Sequence, residues 1–161
     1  MKEPINLREW LVSRGRLFTC GRPGRGTFGT ERRQIHKTTI DEWVNGLPIA
    51  DVIHIVSLLG YKPRGYSEFE YYPFRSSKES GEKPTFQEWL HEHYGHRFIV
   101  YEFPTIDRTG VAAEVLTAAK RCVIELLGHN RTVLVIDSAG AERTARVCEA
   151  VGAERLTSRK V

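Results

Sequence analysis

The chain has 161 residues, of which 40% are hydrophobic and 27% charged, with a net charge of +4, a composition suited to one soluble domain that buries its core without staples. No apolar run approaches the ~20 residues needed to span a bilayer, and the amino-terminal MKEPINLREWLVSRGR lacks the apolar stretch and small-residue cleavage site of a secretory signal. Three cysteines, Cys20, Cys122 and Cys148, show no CxxC or CxxH spacing; they are expected as reduced thiols of a cytoplasmic protein, not as a disulfide framework. Charge is uneven, because residues 1–37 carry +6 and the remainder −2. The segment Arg14–Lys37 is therefore expected either to attract an acidic partner or simply to solubilise a loop.

In chain order, RLFTC (16–20) is expected as a short strand, followed by a Gly/Arg/Pro loop to about residue 30. TIDEWVNGL follows as a short helix, with Thr39 and Glu42 spaced as a capping box. DVIHIVSLL (51–59) is a β-branched run long enough for a buried strand. Residues 60–83, rich in Tyr, Pro, Gly, Ser and Lys, are expected as a long excursion with an edge strand in SEFEYYPF. PTFQEWLHEHYG (84–95) repeats the capping spacing with Thr85 and Glu88 and ends at Gly95, so it predicts a helix. RFIVYEF is a strand stopped by Pro104. VAAEVLTAAKRCVIELLG (111–128) has apolar positions near a 3.6 period and predicts the longest helix. TVLVI (132–136) is then a strand and ERTARVCEAVG the last helix. Strands alternating with helices predict an α/β fold with a mainly parallel central sheet, and ligands in such sheets bind beyond the carboxyl ends of the strands.

Several local patterns carry less than they suggest. GRGTFG (24–29) matches GxGxxG, but no strand with a paired lysine, HRD loop or DFG follows, so a basic loop is expected there. His91, His93 and His96 lie within six residues, yet a helix sends 91 and 93 to different faces, and no metal site is expected. Tyr61, Tyr66, Phe69, Tyr71, Tyr72 and Phe74 are a candidate stacking platform, although aromatics in a long excursion more often pin it to the core.

DSAGAERT (137–144) is more coherent, because it lies between a predicted strand and a predicted helix. Ser138, Ala139, Gly140 and Ala141 are small enough for successive amides to turn inward as an anion nest. The helix amino terminus adds its positive dipole end, Glu142 and Arg143 follow, and Arg143 can close the cup with a bidentate guanidinium while Thr144 lends a hydroxyl. The stretch resembles the CX5R phosphate loop of the cysteine-dependent protein tyrosine and dual-specificity phosphatases, usually HC-SAG-x-x-RT, with Asp137 where the cysteine stands and Ile136 in place of the histidine. YEFPTID before a long helix resembles the general-acid loop of the dual-specificity branch and places Asp107 at the acid position. LFTCGRPG resembles the first strand and turn of that fold, and GLPIADVIHIVSLL the helix–strand unit after it, so the resemblance spans about residues 16–152. It implies one phosphatase-like domain over residues 1–161, with a shortened carboxyl terminus and no cofactor.

In such enzymes a thiolate attacks phosphorus, the acid protonates the leaving oxygen, and loop amides with the arginine hold the phosphoryl oxygens. A carboxylate answers the same electrostatics as a thiolate, so Asp137 is expected to act as a built-in counter-ion that accepts the loop amides, pairs with Arg143 and weakens phosphate binding. Cys122 and Cys148 are placed on helices and are expected as small core residues instead of substitute nucleophiles. Three functions follow from these readings. The first is a pseudophosphatase that binds a phosphorylated or acidic partner. The second is a phosphatase of low activity, or one whose nucleophile has been exchanged, using Asp107, Arg143 and Asp137. The third is a nucleic-acid or phosphoinositide binder acting through residues 14–37.

Overall fold

The computed structural model describes residues 4–23, 37–58, 86–103, 113–137 and 140–155. Six strands form one sheet, in the order β4-β3-β5-β2-β1-β6: β1 is Arg8–Leu11, β2 Arg16–Gly21, β3 Ile53–Ser57, β4 Phe98–Glu102, β5 Thr132–Asp137 and β6 Glu154–Arg155. The helices are α1 Lys37–Asn45, α2 Phe86–Tyr94, α3 Ala113–Gly128 and α4 Glu142–Val151. Strands β2, β5, β3 and β4 are mutually parallel, while β1 runs antiparallel to both β2 and β6. The α/β architecture with a mainly parallel sheet flanked by helices is the one the sequence predicts.

Strand β5 sits at the centre, paired on both sides, and is buried from Val133 to Asp137. A strand covered on both faces has no polar side, which is why VLVI after Thr132 is a continuous apolar run. Its side chains alternate between two cores. Leu134 and Ile136 pack with Phe18, Trp43, Leu90 and Phe98, while Val133 and Val135 pack with Trp10, Leu17, Val123 and Val147. Helices α1 and α2 thus cover one face and α3 and α4 the other. On α3 the buried Ala119, Val123 and Leu127 recur at four-residue spacing, the stripe that a helix lays against a sheet. Each fully buried Val or Leu of these cores contributes on the order of 1.5–3 kcal/mol.

Several elements differ from the sequence expectation. LFTCGRPG supplies the second strand, not the first, because REWL forms β1 ahead of it. Helix α1 already includes Lys37, so Thr39 is an interior residue of the first turn and not its cap. The edge strand expected in SEFEYYPF, Thr85 and the aromatic set from Tyr61 to Phe74 lie outside the described residues, as does GRGTFG. Among the described residues no helix is long and apolar enough to cross a membrane.

Candidate functional site

The connections put the site at the carboxyl end of β5. The chain leaves β2 towards α1 on one face and reaches β5 from α3 on the other, so β5 enters between β3 and β2. Such a reversal opens a crevice beyond the strand ends. Asp137 is the last residue of β5, aligned with Gly21, the last of β2.

Asp137 is 4% exposed, and its carboxylate accepts two backbone amides. Oδ1 takes the N–H of Gly140, and Oδ2 lies 3.4 Å from the amide nitrogen of Thr144. Thr144 is the third residue of α4, one of the four amides that a helix leaves without an internal partner. Ala141, at the cap position, has no side-chain acceptor to receive them. Asp137 therefore does for α4 what a capping Asp does from the residue before a helix, but from the end of the preceding strand. The negative charge also faces the positive end of the helix dipole.

Gly140 makes this geometry possible. Its φ is 73°, in the left-handed region, and a Cβ built on it would lie 2.3 Å from both the carbonyl carbon of Cys20 and the amide nitrogen of Gly21. The loop thus lies directly against the backbone at the end of β2. Trp43 of α1 holds that same end from the other face, its indole Nε1 donating to the carbonyl of Gly21 at 2.8 Å. Neither contact has a local sequence signature, since Gly21 and Gly140 are far apart in the chain.

The other candidate residues divide as follows. Arg143 is half-buried in the first turn of α4. Thr144 is 1% exposed, and its hydroxyl donates to the carbonyl of Ala141 at 3.2 Å, so it secures the loop. Glu142 is exposed, with its carboxylate 3.6 Å from Arg146 one turn along the helix; that pair is solvated and contributes little. The side chains of Asp107, Ser138 and Ala139 lie outside the described residues, as does most of the basic segment Arg14–Lys37. A pocket of about 240 Å³ adjoins the loop on the β1–β2 side, lined by Arg8, Trp10, Thr19, Gly140, Glu142 and Ala145 among others. Its floor is fixed by the Trp10 indole donating to the Thr19 hydroxyl at 3.0 Å.

All three cysteines are free, and none is placed as a ready nucleophile. Cys20 backs onto the loop, but it is fully buried, and burial together with the Asp137 charge holds its thiol far above the usual range. Cys148 belongs to the α3–α4 core, where burial, aided by Glu149, pushes its thiol up to about 12. Cys122 is half-buried, and desolvation followed by Glu125 raises it as well. A thiol attacks only as thiolate, so each is suppressed at neutral pH. Among the described residues no group of three or more His, Cys, Asp or Glu side chains converges to hold a metal.

No protein-family model matches the sequence, and no curated protein does. Among solved structures the chain is similar to kinase associated phosphatase in a form whose catalytic-site cysteine is substituted by serine, with a TM-score of 0.56 and 15% identity over 94% of this chain and 74% of that one. The likeness establishes the fold. That phosphatase and this chain share an α/β architecture.

Proposed function

We propose that the chain is a single pseudophosphatase domain, 1–161, whose phosphate loop is filled by its own carboxylate and which binds a phosphorylated or acidic protein without hydrolysing it. The observation that carries this reading is the buried Asp137 carboxylate, which accepts the amides of Gly140 and Thr144. In the proposed assignment the loop is Ser138, Ala139, Gly140, Ala141, Glu142, Arg143 and Thr144, with Asp107 at the acid position. An aspartate side chain reaches one bond further than a cysteine. Its carboxyl carbon stands where Sγ would, and its oxygens extend towards the place of the phosphoryl oxygens. The basic Arg14–Lys37 segment supplies attraction for an acidic partner. The three free thiols fit a reducing, cytoplasmic setting.

The competing reading makes Asp137 a nucleophile. Its oxygen would form the bond to phosphorus, the ester oxygen would leave with a proton from Asp107, and water would then hydrolyse the aspartyl phosphate. Both oxygens of Asp137 already accept amide hydrogens, which draws electron density from the lone pairs such an attack needs. The parent chain is therefore expected to give no turnover of a small aryl phosphate above buffer, and Asp137→Asn to change nothing. A parent rate that Asp137→Asn abolishes would replace the binding module with a slow phosphatase.

A further inference from the structure

Helical geometry separates His91 from His93, but the chain does not stay helical as far as His96. Helix α2 ends at Tyr94, Gly95 takes a φ of 62°, and Gly95–Arg97 form a tighter 3-10 turn. The turn folds His96 back towards His91, so that their ring centroids stand 5.8 Å apart at an interplanar angle of 71°. Both side chains are exposed. We propose that His91 and His96 form a surface chelate for a borderline divalent cation of the zinc, nickel or copper(II) class.

Imidazole nitrogens are the ligands these ions prefer. Two rings on one ion, each nitrogen about 2.1 Å from it at a near-tetrahedral angle, have centroids about 5 Å apart. The observed pair needs only a rotation of exposed side chains to close that difference. The cation would also sit at the carboxyl end of α2, where the helix dipole is negative. The nearest basic residue in sequence, Arg97, has its guanidinium over the Phe98 ring, 5.4 Å from the centroid, and so is engaged elsewhere. With two protein ligands, the remaining positions are open to water. His93, in the same last turn but on another face, takes no part. This site is independent of the phosphate loop.

The test is isothermal titration of the untagged, reduced full chain with nickel chloride in a non-chelating buffer. The parent is expected to bind one ion. His91→Ala and His96→Ala are each expected to weaken binding at least about tenfold, because the second imidazole no longer acts at high effective concentration. His93→Ala and Cys122→Ser are expected to bind like the parent. Equal affinity in the parent, His91→Ala and His96→Ala would overturn the proposal, as would a loss in His93→Ala or Cys122→Ser as large as that in His91→Ala.

Discussion

On the proposed reading, Asp137→Cys is expected to turn over a small aryl phosphate at a rate roughly 10²-fold or more above the parent, because the substitution puts a thiol at the proposed nucleophile position. The amides of Gly140 and Thr144 that now meet the Asp137 carboxylate would face Sγ instead. Together with the positive end of α4 they favour a thiolate over a thiol. The shorter side chain also clears the space into which the carboxylate oxygens extend. Turnover in this variant, inhibited by vanadate and lost again on Arg143→Ala, would show that loop, arginine and acid keep working geometry and that Asp137 is the block. A folded but inert Asp137→Cys would mean that the likeness to the phosphatases ends at the fold.

Gly140→Ala is expected to have the largest effect on stability of any single-methyl change at the site. The new Cβ would meet backbone atoms of Cys20 and Gly21 at 2.3 Å, and those atoms belong to a strand paired along its whole length with β5. Neither side can yield without breaking ladder hydrogen bonds. Left-handed φ adds about 1 kcal/mol for a residue with a Cβ, and overpacking of this kind typically costs about 1–3 kcal/mol more. A loss of roughly 2–4 kcal/mol in denaturant unfolding is therefore expected. Gly95 provides the contrast, since its φ is also positive but nothing lies within 4 Å of its Cβ position. Gly95→Ala should cost only about 1 kcal/mol. Equal, small losses at both glycines would contradict the close packing of the loop on β2.

The parallel core was legible because each of its strands is a dense apolar run between turn residues, and the two-sided burial of β3 and β5 is what such runs mean. Strand β1 was not legible. REWL buries only Trp10 fully, so it has neither the continuous run of a central strand nor a clean alternation. Strand β6 is two charged residues whose only signal is the pairing of Trp10 and Leu11 with Arg155 and Glu154. At the site, the strand–loop–helix order pointed to Asp137, and the small residues after it pointed to a tight loop. Three other features rest on contacts between distant segments and had no local sign: the backbone of β2 against Gly140, the Trp43 indole on Gly21, and Cys20 behind the loop. Glu142 adjoins Arg143 in the sequence, but its carboxylate turns outward to Arg146. Likewise the approach of His96 to His91 depends on the turn at Gly95, a glycine that the sequence marks only as a helix end.

The central claim is that the Asp137 carboxylate stands in the place of a bound phosphoryl group. Two unit charges about 4 Å apart repel by about 4 kcal/mol at an effective dielectric near 20, so removing one should be measurable even after solvent relaxation. The decisive measurement is calorimetric titration of the parent and of Asp137→Ala with phosphate or tungstate. The variant should lose about 1 kcal/mol of stability with its helix-capping acceptor. It should also bind the anion at least about tenfold more tightly than the parent, and regain stability as the anion is added. An Asp137→Ala protein that is folded yet binds phosphate and tungstate no better than the parent would contradict the account.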